Sequence, residues 1–216
     1  MVPERFVVEY PERCLALLEM LEPRARESQL VGSFSLLVAA SAFVIPYERM
    51  QSRHPMHLRR HDGDLDSALR RLDSNQRFLG ASFWNGAEPG EWRFSRIMEH
   101  VENTHRWRDE AGLHPMSPEA SNKVADCNAG KVLRVIRNAL AHGNVVYLNA
   151  DGLEMRCTEV QFLAFLTRYE ETEEQRRVAE TYRLVVTTEE TFLRFVKAWT
   201  TWVSSFPRDR SISDAA

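Results

Sequence analysis

Apolar residues recur at helical spacing over most of the chain, and polar breaks divide the recurrences into segments. Pro11 to Leu21 carries Leu15, Leu18 and Leu21 on one side and predicts a short helix, with Pro23 at its end or opening the next one. From Glu27 to about Met50 the pattern predicts a long, mostly buried helix that Pro46 kinks or ends. "SRHPMHLRRHDGD" is a polar, exposed connection. Asp64 is placed to cap a helix running to about Leu79, with Leu65, Leu69 and Leu72 as its stripe. "NGAEPGEW" is a loop, and Ser95 is placed to cap a further helix through about Ala111, with Ile97, Val101 and Trp107 inward. "GLHPMSPE" breaks that helix, and Ser117-Pro118 opens the next in cap-then-proline order.

That next helix ends in "IRNALAHGN", residues 136–144. Val132, Ile136 and Leu140 recur every four residues as the buried stripe, while Lys131, Arg134, Asn138 and His142 line another face. Gly143 supplies the stop. "NVVYLNADGLEMRC" reads as a β-hairpin turning at Ala150-Asp151-Gly152, "EVQFLAFLTRY" as helical, and "EETEEQRRVAE" as a solvated charge run. "YRLVVTT" is a strand, and Thr188 caps a last helix striped by Phe192, Phe195, Trp199 and Trp202, more aromatic surface than one short helix usually needs, which with the motif helix points to a twofold homodimer interface. After Pro207 the tail frays. With no internal repeat or Pro/Gly/Ser linker, the expected fold is one mainly α domain over residues 1–216. It is a helical bundle with a small antiparallel hairpin or sheet inserted after the motif helix.

Composition changes this picture little. Hydrophobic residues make up 44% and charged residues 27%, enough for a real core. Net charge is -3, so any nucleic-acid contact must come from a local basic patch. Lys123, Lys131 and Lys197 are the only lysines among 28 basic residues, a skew that matches genome composition better than any one site. Cys14, Cys127 and Cys157 have no CxxC spacing, which points to a reducing, cytoplasmic setting and away from zinc. Gln29 to Tyr47 is uncharged, but its Gly, its serines and Pro46 suit a buried helix better than a membrane span.

Arg137 and His142 carry the candidate chemistry. By spacing alone the pair is weak, since about one Arg-x4-His is expected by chance in a chain this rich in Arg, and Arg49 and His54 repeat it. Their stretch runs into Pro55 without helical pattern. Arg93 and His100 are a looser match. The pair at 137 and 142 instead closes an amphipathic helix just before a glycine. Five residues apart on an ideal helix, the two side chains diverge by about 140°. They converge only if the last turn loosens or a second subunit brings matching groups together. Asn138, on the His142 face, is placed to orient the imidazole. His54, His57, His61, Asp62 and Asp64 offer a metal set on paper, but Pro55 and Gly63 flank them, and no metal or other cofactor is expected. A purely structural role also accounts for the pair: Arg137 and Asn138 satisfy helix-end carbonyls, and His142 is a favourable cation at the negative end of the helix.

"RNALAHG" closing a helix resembles the HEPN superfamily, whose signature is an Arg, a polar residue and then a His a few positions on. The wider layout over residues 30 to 205 is also similar: an early apolar helix ("SFSLLVAASAFVIPYER"), the motif helix and an aromatic final helix. The minimal HEPN fold is all-helical, so the hairpin from Asn144 to Cys157 is an elaboration. The resemblance implies a metal-independent endoribonuclease, often a toxin or antiviral defence effector with a cognate antitoxin or defence-system partner, built as a homodimer with a composite site. In it His142 serves the RNA 2′-OH or the leaving oxygen, Arg137 the phosphate, Asn138 orients His142 or binds phosphate, and Lys131 and Arg134 serve the RNA backbone. The alternative implied by the same resemblance is a non-catalytic helical module that binds a nucleotide or a partner protein.

Overall fold

One antiparallel sheet in the order β1-β4-β3-β2 organises the molecule: β1 (Trp92–Ile97), β2 (Val145–Leu148), β3 (Phe162–Arg168) and β4 (Tyr182–Thr188). The computed structural model describes residues 6–49, 63–155, 160–168 and 181–206. Along β3 the side chains alternate as the pleat requires. Leu163 and Phe165 join the larger core with the helices, while Ala164 and Leu166 join a second cluster on the opposite face with Trp107 and Ile97. Apolar side chains thus leave both faces of β3 and β4.

The helical layer holds α1 (Phe6–Glu27), α2 (Val31–Ala39), a π turn (Ala40–Val44), α3 (Ile45–Arg49), α4 (Gly63–Ser74), α5 (Ala129–His142) and α6 (Glu189–Ser204). α1 runs through both Pro11 and Pro23, well past the expected end near Leu21. An internal proline costs a helix about 3 kcal/mol, and burial of Cys14, Leu18 and Ala25 offsets it. Leu21, expected in the stripe, is exposed. The following helix starts at Val31, because Gln29 takes a left-handed φ of 56°. Pro46 does not end that helix. The preceding π turn absorbs the register change, so the chain stays helical from Val31 to Arg49. No side chain caps Leu30. Instead the Glu189 carboxylate, from the first turn of α6, accepts the Gly32 N–H.

Two expected helices are absent. Residues 92–97 form β1, with Trp92 and Phe94 in the helical core, so Ser95 caps nothing. The chain from 98 to 123 is irregular apart from one 3-10 turn and carries Trp107 onto the far face of the sheet. Ser117-Pro118 lies in a turn, and α5 starts only at Ala129, capped by Asn128 through the Lys131 N–H. Within the stretch expected to be helical, Phe162–Arg168 is strand β3, central in the sheet and buried on both faces. The expected hairpin survives in part: β2 meets its return at one bridge, Leu148 to Glu154, and pairs in full with β3. The fold is therefore α-rich, and the expected small antiparallel hairpin or sheet is a four-stranded antiparallel sheet whose β1 precedes the motif helix.

The aromatic stripe of α6 is core. Phe192, Phe195 and Trp199 are fully buried and Trp202 is 9% exposed. Trp199 packs edge-on against Phe43 at 5.0 Å. α4 begins at Gly63, so Asp64 lies inside it rather than before it. Leu65 and Leu72 are buried there as expected. The charge run at 170–180, the tail after Phe206, Cys157, and His54, His57, His61 and Asp62 lie outside the described residues. Val31–Glu48 is long and apolar enough to cross a membrane. Its Ala39, Ala42 and Phe43 are fully buried in the helical core.

Candidate functional site

α5 forms where expected at its C-terminal end. Val132 and Ile136 are fully buried and Leu140 partly so. Gly143 takes φ 73°, and the N–H groups of Gly143 and Asn144 both reach the Ala139 carbonyl, a Schellman-type close. The helix is regular through His142, so the last turn does not loosen to bring Arg137 and His142 together.

Arg137 is held by two partners. It is half-buried, pairs with the Glu48 carboxylate on α3, and donates from Nη1 to Asn138 Oδ1 at 2.6 Å. The contact with Glu48 is ionic and lacks the alignment of a hydrogen bond. Asn138 Nδ2 donates onward to Thr167 Oγ1 on β3 at 3.3 Å. The Asn138 amide therefore orients Arg137, and its expected contact with the imidazole is not made. His142 is exposed at the helix end, with no hydrogen-bond or ion-pair partner among the described residues. A guanidinium with a fixed plane can present its remaining N–H groups to a phosphate, and an unengaged imidazole can take or give a proton.

Glu48 and Thr167 escaped the sequence reading. Glu48 had one faint signal: it is the first charged residue after the uncharged run from Gln29 to Tyr47. The two spacing matches fare differently. Arg93 lies on β1 and donates to the Pro115 and Ser117 carbonyls, while His100 sits in a left-handed turn beside Arg106. The Arg49 side chain and His54 lie outside the described residues.

Lys131 and Arg134 belong to the other end of α5. Lys131 lines a cleft of about 880 Å³ together with Arg77, Lys123 and Asp126, and its Nζ lies 5.1 Å from the centre of the Phe94 ring. Arg134 is exposed, 4.0 Å from Asp73. Eleven residues at a rise of about 1.5 Å put Lys131 about 16 Å along the axis from His142. Cys127 also lines the cleft, and burial pushes its thiol up, away from the thiolate. No group of three or more potential metal ligands stands together among the described residues.

A family model described as HEPN pEK499 p136 matches residues 1–210. Neither a curated protein nor a solved structure shows a match to the chain.

Proposed function

The chain belongs to the HEPN pEK499 p136 family, and from that premise we propose that it is a metal-independent endoribonuclease whose Arg137 and His142 act on one RNA phosphate across a homodimer. One observation carries the reading. The same helix ends in a guanidinium fixed by Glu48 and Asn138 and an imidazole that the fold leaves unused. A purely structural pair would also leave His142 exposed, as a cation at the negative end of the helix, so the fixed guanidinium beside it is what favours the reading. In this mechanism His142 accepts the 2′-OH proton or protonates the leaving oxygen, and Arg137 stabilises charge on the phosphate oxygens. The attacking 2′-OH makes the reaction specific for RNA.

Two copies are needed because one regular helix keeps the two side chains about 140° apart. The aromatic stripe cannot supply the interface, being core. The face that α2 leaves open can. Leu37 is 70% exposed there, beside exposed Ser33 and Ala40, in a run without a single charge. That face leads through α3 to Glu48, and so to Arg137. A second copy seated on it brings two motif helices to one cleft. A toxin or antiviral role in the cytoplasm, restrained by an antitoxin or defence-system partner, follows from the same reading.

The second reading is a non-catalytic module that binds a nucleotide or a partner protein. It is favoured by the Glu48 carboxylate, which already balances the Arg137 charge. Cleavage of labelled RNA in excess EDTA by the wild type and by a folded His142→Ala variant separates the two. The nuclease reading expects cutting that His142→Ala abolishes. No cutting by either protein leaves the binding module, and equal cutting by both removes His142 from the mechanism.

A further inference from the structure

The geometry points to the cleft at the N-terminal end of α5 as a binding site for a phosphate-bearing nucleotide of an RNA strand, with the strand then lying along the α5 face that ends at His142. The strand's destination rests on the ribonuclease reading; the chemistry of the cleft does not.

Charge is the first argument. The chain has three lysines and a net charge of -3, yet Lys123 and Lys131 both line this one cleft, with Arg77 beside them. Among the described residues that line it, Asp126 is the single acidic side chain, and Glu110 reaches Lys123 from beside it. Lysine is a compact charge with three rotatable donors, suited to phosphate oxygens arriving from several directions. Lys131 is also held in place: its ammonium lies over the Phe94 ring, and Phe94 itself is 3% exposed and fixed in the core. Lys123 is tethered by Glu110, and Arg77 by the Asp126 carbonyl. The cations are ordered before any ligand arrives, which lowers the entropy lost on binding.

Size and walls agree. About 880 Å³ lies within the range of small-molecule sites and admits a nucleotide. Gln76 and Asn128 on the rim are fixed by their own bonds, Gln76 to the Ser82 N–H and Asn128 to Lys131 and Asp73. The route onward is set by helical geometry. Lys131, Arg134, Asn138 and His142 fall on one side of α5, all of them exposed or half-buried. A strand anchored at Lys131 passes Arg134 and reaches the imidazole after about 16 Å.

The test measures binding of a fluorescent single-stranded RNA to the full chain carrying His142→Ala, so that cutting cannot confuse the readout. Lys131→Met keeps the stem over Phe94 and removes the charge. It is expected to weaken binding several-fold and to flatten the dependence of log affinity on log salt by about 0.7, one phosphate contact on a single strand. Lys197→Ala, which removes the same charge from α6 where it pairs with Glu22 of α1, is expected to leave binding unchanged. Adenosine monophosphate as competitor separates a free nucleotide from a strand. Displacement of RNA only at concentrations far above the RNA dissociation constant supports the strand. RNA affinity and salt slope that Lys131→Met leaves unaltered overturn the proposal, whether or not the mononucleotide binds. Weaker RNA binding by Lys131→Met, from a wild type that never cuts, would retain the cleft and remove the nuclease reading.

Discussion

Arg137 sits between two demands. In the proposed mechanism its charge serves a phosphate, yet Glu48 pairs with it and Asn138 fixes its plane. Glu48→Gln keeps the shape and removes the competing charge, so RNA should bind more tightly to the variant in a His142→Ala background, as read by fluorescence anisotropy. Its thermal stability should change by no more than about 1 kcal/mol, because partly exposed ion pairs contribute little. Unchanged or weaker RNA binding would mean that Arg137 does not face the phosphate. Gly32 is a second instructive residue. A Cβ there would run into the Glu189 carboxylate that accepts the Gly32 N–H. Gly32→Ala should therefore cost about 1–3 kcal/mol in chemical denaturation, although alanine normally favours a helix. A neutral or stabilised variant would show that Glu189 can give way freely.

The elements record how far the sequence could be read. α5 was legible from Val132 to Gly143 because its stripe has the helical period and its stop is a glycine. Thr188 and α6 were legible for similar reasons. β3 was not, because a strand covered on both faces loses its alternation and reads as a continuous apolar run. β1 was missed since Ser95 invites a capping reading, while the strand's partner β4 lies far along the chain. Of the site, Arg137 and His142 were visible as a motif. Glu48 and Thr167, distant in sequence, were not, because contacts of that kind follow from packing. α2 carries the prediction at this scale. Leu37→Glu puts a charge on its open face, should shift sedimentation from dimer to monomer, and should abolish cleavage without lowering the melting temperature. A variant that stays dimeric and active would remove α2 from the interface.

At the scale of the whole molecule, carboxylates tie the terminal helices together. Burial alone would push the Glu22 carboxyl up, but hydrogen bonds from Lys197 and Arg26 outweigh it and hold it below the ordinary glutamate range. Lys123 does the same for Glu110, and Arg26 for Glu190. Groups lowered in the folded state lend stability above their unfolded value, near 4.5, and lose it as pH falls through their folded values. Glu189 has the opposite sign. Burial raises it, so its contribution is full below that unfolded value and is lost as pH rises through its folded one. With three groups against one, the melting temperature followed by circular dichroism should fall as pH drops below about 4.5, and Glu22→Gln should flatten that fall. The assembly itself is tested most directly by mixing two inactive proteins. Arg137→Ala and His142→Ala should each lose about 10²-fold or more in RNA cleavage. Unfolded and refolded together, they should form mixed dimers in which one intact Arg137 faces one intact His142 across the proposed cleft. The account predicts that the mixture regains part of the wild-type rate, about a quarter if the chains pair at random. A mixture as inactive as its components, at a dimer yield equal to the wild type, would contradict it.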